Sequence, residues 1–299
     1  MGETLTKKFV NVCVMLALTV SAYAADNTGT NAMDFLALTH SVKSDSMGEA
    51  VTAISDSRGM SLNPSSIARA GGLEIQTHYL NYVESIRFAN VAAVLPIRQT
   101  VFGVNVGMMD FGRQIRTTVS DKTGASGDTF LNKGTSIGVS AARSFSKLDV
   151  GMTVKNISQT LDSHVSSAVG LDAGLTYQVS SQLNVGSSLT NLTIKHTTEA
   201  LLQKELRLGV GYKLSSNKLP LMTTLDLVSR LDNTIHFAGG AQYEITPVFF
   251  IRAGYNSATE IAPFSAGIGL NLPQVHIDFS YRPSRDFGDS YRVGVGVQF

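Results

Sequence analysis

The sequence lacks several features of soluble and catalytic proteins. It contains no tryptophan and one cysteine, Cys13, and charged residues make up only 16% of it, against roughly 25% in typical soluble domains. Cys13 lies in an N-terminal segment that we expect to be removed, so the rest of the chain offers neither disulfides nor thiolate metal ligands. Beyond that segment no run of about 18 apolar residues occurs, so no spanning helix is predicted. Such a chain could cross a membrane only as a closed β-barrel.

The N-terminus has the pattern of a secretory signal peptide. Lys7 and Lys8 precede a mostly apolar stretch, Phe9–Val20, which is too short to span a bilayer as a helix. The small residues of Ala22–Ala24 then form a cleavage site, with cutting expected after Ala24. We therefore assign residues 1–24 to a signal peptide.

The mature chain is electrically neutral. Removal of the signal peptide takes two of the 24 basic and one of the 23 acidic residues, which leaves 22 of each. A nucleic-acid partner is not expected, because such binding needs a basic surface and the chain has no cluster of lysine and arginine.

The last nine residues, Tyr291–Phe299, alternate strictly between apolar or aromatic side chains and polar side chains or glycine. A β-strand with this period has one apolar and one polar face. The ending resembles the signal that outer-membrane β-barrels present to their insertion machinery, with Tyr291 and Phe299 as its aromatic residues. Outer-membrane lipid and the insertion machinery are then the expected partners. A terminal strand of a soluble β-sandwich would alternate in the same way. On the polar face, Gly294 is expected to tolerate serine.

Similar alternation recurs from residue 73 onward, in segments of a length that suits tilted transmembrane strands. The linkers at one end are short, and several at the other end are longer and polar, as for periplasmic turns opposite extracellular loops. We predict an all-β fold, an antiparallel transmembrane barrel of about fourteen strands. The segments lie near residues 73–83, 86–95, 100–111, 130–145, 147–158, 166–179, 182–190, 204–214, 220–229, 233–243, 246–256, 262–271, 274–282 and 290–299.

The polar faces carry isolated charges among glycine, serine and threonine, as barrel lumens do. We expect these charges to point into the lumen and to pair with one another or with the N-terminal segment, because an unpaired buried charge is costly. Several of them could instead lie at strand ends in water. The charged residues are Glu205, Arg207, Lys213, Asp226, Arg252, Asp278, Arg282 and Arg292.

The segment between the signal peptide and the first strand carries short motifs in a defined order. They are Asp34-Phe35-Leu36, Asp45–Ala50, Ala53–Asp56 and Ser61–Ala68. This order resembles the PorV/PorQ family and its FadL-type relatives among outer-membrane proteins, although Ser46, Glu49 and Ser65 depart from the small residues usual there. The resemblance implies a fourteen-stranded barrel, here residues 73–299, with an N-terminal plug or hatch, here residues 25–72.

The local chemistry of this segment also favours a compact plug. Asn63 can bond its own downstream backbone, and Pro64 suits the first position of a short helix. The alternative is a capped turn that only leads into the first strand. Apolar residues of the segment could pack the plug or contact an apolar ligand; those we single out are Phe35, Leu36, Met47, Leu62 and Ile67.

Catalytic patterns are missing. The six histidines show no ligand spacing, no serine lies in a nucleophile elbow, and no paired carboxylates stand out. We therefore expect no enzyme, metal or cofactor. Three functions stay open for a protein of the cell outer membrane. It could be a passive channel for hydrophobic compounds, gated by the hatch. It could be a surface cargo-binding or shuttle protein like those of type IX secretion, using the loop of residues 112–130 and secretion-system partners. It could be a structural barrel.

Overall fold

A computed structural model describes residues 33–38, 40–82, 86–197, 202–214, 220–230, 234–259, 262–284 and 288–299. The predicted signal peptide lies outside the described residues, and so do residues 25–32 of the predicted plug. No helix in the described ranges is both long and apolar enough to cross a bilayer.

Fourteen antiparallel strands form a closed barrel, which confirms the predicted fold. Each strand pairs with the next along the chain, and β1 pairs with β14 to close the wall. The strands are β1 (Glu74–Asn81), β2 (Arg87–Ile97), β3 (Thr100–Ile115), β4 (Thr129–Phe145), β5 (Leu148–Leu161), β6 (His164–Gln178), β7 (Leu183–His196), β8 (Glu205–Leu214), β9 (Leu221–Arg230), β10 (Thr234–Thr246), β11 (Phe249–Asn256), β12 (Phe264–Asn271), β13 (Val275–Arg282) and β14 (Ser290–Gln298).

The strands on one side of the barrel are longer than the alternation in the sequence predicted. Strands β3 to β7 have 14 to 17 residues, whereas β11 to β14 have 8 or 9. The segments predicted near 147–158 and 166–179 continue until only Asp162 and Ser163 separate β5 from β6. Alternation is weak in these extensions because polar residues lie on both faces. The sequence pattern therefore ended the strands too early.

Alternation sorts the side chains between the two faces of the wall. On β14, Tyr291, Val293 and Val295 are exposed on the outer face, whereas Ser290 and Arg292 are buried in the lumen. Tyrosines mark both rims of the outer face. Tyr281 and Tyr291 are register partners at the end with the longer loops, where Tyr255 also lies. Tyr177, Tyr212 and Tyr243 lie near the short turns.

The chain from Met33 to Gly72, which we call the hatch, runs inside the barrel. It contains one α-helical turn, α1 (Val42–Ser46), and three short 3₁₀ helices, Asp34–Ala37, Ser57–Gly59 and Pro64–Ile67. Side chains cap three of these four elements: Ser41 accepts from the Ser44 amide at 3.4 Å, and Asp56 and Asn63 cap the last two. Helices this short are unstable alone, so the caps and the lumen wall must hold them in place.

Glycines of the wall let the hatch backbone approach closely. A Cβ atom on Gly240 would come within 2.6 Å of the Met47 carbonyl oxygen, closer than real Cβ contacts, so one of the two backbones would have to shift. Gly294 is also crowded, because a Cβ there would lie 2.9 Å from Cγ2 of Val42 and 2.5 Å from Nδ1 of His78. The expectation that Gly294 tolerates serine was therefore wrong: a side chain there would meet His78 of β1 and Val42 of the hatch, which strand periodicity does not show.

Replacement of Val295 by arginine tests the lipid-facing side of β14. We expect Val295→Arg to impair assembly, since arginine on this face costs roughly 2–4 kcal/mol near the bilayer midplane. Val295→Leu keeps the face apolar and should assemble like the parent. Heat-modifiability on gels after refolding into lipid vesicles reports the folded fraction. Equal folding of the arginine variant and the parent would show that this face is not in lipid.

Candidate functional site

The lumen has two sides of different chemistry, and the hatch contacts both. Strands β8 to β14 present charged side chains, which bind the first half of the hatch. Strands β1 to β6 present mainly apolar and uncharged polar side chains. The charged side anchors the hatch, and the other side contains the apolar surface and a small cavity.

Asp45 of α1 forms the first anchor, which joins the hatch to β13 and β14. Its carboxylate accepts hydrogen bonds from Ser280 at 2.6 Å and Arg282 at 2.9 Å, and Nε of Arg292 lies 3.4 Å away. Burial alone would raise the pKa of Asp45, but the charges of Arg292 and Arg282 hold it below its ordinary value. The carboxylate is therefore ionised, and loss of its charge would leave two buried arginines poorly compensated.

A second anchor joins the hatch to β8 and β9. Asp226 accepts from the Thr52 hydroxyl at 2.6 Å and from the Thr52 amide at 3.1 Å. Arg207 donates to the Glu49 carbonyl oxygen at 3.0 Å and pairs with Glu205 at 2.5 Å. The three wall-to-hatch contacts are buried and the Arg207–Glu205 pair is partly buried, so all of them are stronger than the same contacts in water.

A third anchor is a chain of ion pairs of alternating sign. Lys43 Nζ lies 2.7 Å from Asp56, whose carboxylate also accepts from Arg58 at 2.8 Å. Arg58 reaches Asp278 of β13 at 3.0 Å, and Arg252 of β11 lies 2.5 Å from the other oxygen of Asp278. Burial lowers the pKa of Lys43 to about 8, and the neighbouring Asp56 opposes that shift. The chain connects two hatch segments with two strands.

The five charges singled out from the sequence, Glu205, Arg207, Arg252, Asp278 and Arg292, all lie on the lumen face. Lys213 shares their parity but is exposed, which is the alternative that the sequence left open for several of these charges. It lies one residue before the end of β8, where the lumen opens to water at the short turns. Parity along a strand gives the face of a side chain but not its depth.

Asn63 does more than form a local turn. Its Oδ1 accepts from the Ser65 amide at 3.0 Å and the Ser65 hydroxyl at 2.8 Å. Its Nδ2 donates to the Thr52 carbonyl oxygen at 2.7 Å and lies 3.3 Å from the Thr176 hydroxyl of β6. Pro64 begins the 3₁₀ helix that follows. Asn63 therefore joins two hatch segments and the wall.

The five apolar hatch residues singled out from the sequence fall into three separate clusters. Met47 and Leu62 pack with Val51 and Ile54 in the core of the hatch. Ile67 packs with Met60 against β2, β3 and β4. Phe35 and Leu36 contact a third set of residues at the longer-loop end. The structure therefore does not bring all five into one site.

The third set, which we call the apolar cluster, is the candidate ligand surface. The ring of Phe35 lies over Gly134 of β4, where a Cβ atom would overlap the ring. Leu36, Leu38, Tyr82, Ile86 and Phe111 pack around the cluster. The cluster itself consists of Met33, Phe35, Leu80, Phe88, Met109, Ile157, Ala168 and Leu202.

A cavity of about 40 Å³ adjoins the apolar cluster on the side toward the short turns. Leu36 and Leu38 contribute to both, and the His40 ring lies 5.0 Å from that of Phe88, centroid to centroid. The polar wall of the cavity was not singled out from the sequence, although alternation along β4, β5 and β6 puts five of its residues on the polar face: Ser136, Ser140, Thr153, Lys155 and Asp172. It consists of His40, Ser61, Asn105, Ser136, Ser140, Thr153, Lys155 and Asp172.

The proposed assembly residues lie at opposite ends of β14. The Tyr291 hydroxyl accepts from Asn81 at 2.7 Å near the longer loops, and the Phe299 amide donates to the Leu73 carbonyl oxygen at 2.8 Å at the other end. The Phe299 side chain is exposed. Within the described ranges, no group of histidine, cysteine and carboxylate residues is arranged to hold a metal ion.

Comparison with known proteins shows relationships at the level of fold. No family model matches the chain, and no curated protein matches its sequence. The toluene transporter TbuX of Ralstonia pickettii has a similar structure, with a TM-score of 0.64 at 15% identity over 87% of this chain and 98% of TbuX.

Two further solved structures are similar. The monoaromatic hydrocarbon channel CymD has a TM-score of 0.63 at 16% identity, over 88% of this chain and 98% of CymD. A FadL homologue from Pseudomonas aeruginosa has a TM-score of 0.58 at 11% identity, over 88% of this chain and 99% of the homologue. The chain thus has the fold of FadL-type outer-membrane barrels.

Proposed function

We propose that the protein is an outer-membrane channel that takes up small apolar molecules and is closed by its hatch. The observation that carries this proposal is the apolar cluster. Its residues face a lumen, where a water-filled channel would carry polar side chains. An apolar surface inside a barrel lowers the free energy of an apolar solute there relative to water.

The names of the similar solved structures support this proposal. TbuX is named a toluene transporter and CymD a monoaromatic hydrocarbon channel. Their low sequence identity limits the comparison to the fold, so the ligand must be argued from the residues of this chain. Phe35 and Phe88 give the cluster the flat apolar faces that suit aromatic solutes.

Replacement of Phe35 tests the cluster directly. We expect the purified protein to bind toluene in equilibrium dialysis, and Phe35→Ser to weaken that binding about tenfold or more, since burying a phenylalanine contributes about 1.5–3 kcal/mol. Phe145→Ser is the matched control, because Phe145 is 51% exposed at the rim near the short turns. Toluene binding that is unaffected by Phe35→Ser would place the ligand elsewhere, and no binding at all would overturn the proposed function.

Replacement of Asp45 tests whether the anchors keep the hatch closed. Asp45→Asn leaves Arg282 and Arg292 without their shared carboxylate, which should cost about 3–5 kcal/mol of hatch attachment. The matched control is Asp162→Asn, which breaks an exposed pair with Arg116 and should leave the attachment of the hatch unchanged. Conductance in planar bilayers should rise for Asp45→Asn and stay at the parental level for Asp162→Asn.

Deletion of residues 33–72 gives the upper limit of that conductance, because it exposes the wide lumen. Parental conductance for Asp45→Asn, with high conductance for the deletion, would show that other contacts hold the hatch. Equal conductance of the intact and deleted proteins, both inserted, would show that the hatch does not close the barrel.

A role in protein secretion, as the PorV/PorQ resemblance implies, is the second candidate. The observation that favours it is the tall hairpin of β3 and β4, whose exposed loop lies within residues 112–130. Such a loop could bind exported cargo or a secretion-system component, just as the C-terminal residues Tyr291 and Phe299 would be read by the insertion machinery. Crosslinking from the loop in cells, with loss of a specific adduct on loop deletion and unchanged toluene binding, would support this role.

A further inference from the structure

The cavity beside the apolar cluster is suited to a substituent and not to a whole ligand. Its volume of about 40 Å³ is near that of one or two water molecules. Along β4, Gly134 lies under Phe35, and the cavity residues Ser136 and Ser140 follow on the same face. A ring held in the cluster would therefore extend a substituent toward the short turns and into the cavity.

The charges that line the cavity balance each other. Lys155 Nζ lies 2.8 Å from Oδ2 of Asp172, and Oδ1 of Asp172 accepts a hydrogen bond from the backbone amide of Asn191 at 2.7 Å. Lys155 and Asp172 are the charged residues of the lining; Asp172 is buried and Lys155 is mostly buried. A ligand carboxylate would have to compete with Asp172 for Lys155, and a ligand ammonium group would have to compete with Lys155 for Asp172. This arrangement favours an uncharged group.

His40 offers a hydrogen-bond acceptor to such a group. Its Nδ1 lies 3.1 Å from Oδ1 of Asn105, and the same oxygen accepts from Asn90 at 3.2 Å. Since that oxygen can only accept, Nδ1 carries the proton and Nε2 has the free lone pair. Burial and the charge of Lys155 lower the pKa of His40 to about 4, so the ring is neutral at ordinary pH.

Ser61 offers the complementary group. Its hydroxyl oxygen is buried and, in the part of the chain that the structure describes, has no hydrogen-bond partner. A buried polar group without a partner is unfavourable, so a ligand that supplies one gains affinity. By contrast, the Ser140 and Thr153 hydroxyls bond to each other at 2.6 Å. The open hydrogen-bonding capacity of the cavity thus includes His40 and Ser61.

We propose that the channel prefers small aromatic molecules bearing one uncharged hydroxyl group, such as phenols and aryl alcohols, over the corresponding hydrocarbons. The ring lies in the apolar cluster, and the hydroxyl enters the cavity, where it donates to Nε2 of His40 and accepts from Ser61. This inference rests on the proposed function, because it specifies the ligand of the same channel.

Equilibrium dialysis of the full chain with three ligands of one shape tests the inference. The ligands are toluene, p-cresol, which adds a hydroxyl, and p-toluate, which adds a carboxylate. Free ligand is measured in the dialysate, and detergent alone is the blank. We expect the parent to bind p-cresol about five- to tenfold more tightly than toluene, in keeping with one or two net hydrogen bonds. p-Toluate should bind more weakly than p-cresol.

Variants assign the preference to the cavity. His40→Phe keeps a ring beside Phe88 but removes the acceptor, so it should abolish the preference for p-cresol over toluene. Ser61→Ala should reduce the preference about threefold without a change of fold. His164→Phe is the matched control, because His164 is exposed at the longer-loop end. It should change the affinity for neither toluene nor p-cresol.

The outcomes separate the two proposals. Suppose that toluene binding depends on Phe35. If the parent then shows no preference for p-cresol, or if His40→Phe and Ser61→Ala leave that preference unchanged, this inference is overturned and the proposed function stands. Tightest binding of p-toluate would overturn it as well. Failure of both toluene and p-cresol to bind would overturn both. If His40→Phe does not fold on a heat-modifiability gel, Ser61→Ala decides.

Discussion

The rest of the structure depends on the pairing of every strand with two neighbours. A backbone amide or carbonyl facing lipid has no water to bond, so an open sheet edge cannot remain in a bilayer. The register of β1 with β14 removes the last edge. Closure has a second consequence, because it encloses a lumen wide enough to need filling. The hatch occupies this lumen, and the function that we propose depends on the contacts that hold the hatch in place.

The hatch is held mainly by hydrogen bonds and ion pairs on one side of the lumen and by apolar packing on the other. Asp45, Asp56 and Thr52 bond to buried partners on β9, β13 and β14 or elsewhere in the hatch. On the opposite side, Met60 and Ile67 pack against small apolar residues of β2, β3 and β4. A buried ion pair is costly to break one partner at a time, whereas apolar contacts adjust to an apolar solute. In the channel that we propose, this asymmetry would let one side anchor the hatch while the other receives a ligand.

Several parts of the candidate site could be predicted from the sequence, and others could not. Parity along β8, β11, β13 and β14 placed Arg207, Arg252, Asp278 and Arg292 on the lumen face. Parity did not show which of these charges would be exposed at a strand end, as Lys213 is, because a strand pattern does not include the distance to the rim. The grouping of Phe35 with Leu80 and Phe88 joins three chain segments whose meeting depends on barrel closure. The position of His40 between Phe88 and the cavity arises in the same way, so no local pattern shows it.

The sequence by itself determined the period of the strands, their number and the two faces of the wall, because these depend on the alternation of neighbouring residues. It also determined the turn at Asn63 and Pro64, which depends on bonds within a few residues. Only the tertiary structure decided which charges meet, where the lumen is apolar and which glycines face the hatch. Such features arise between residues far apart in the chain, as in the contact of Asp45 with Arg282. They exist only after the wall has closed around the hatch.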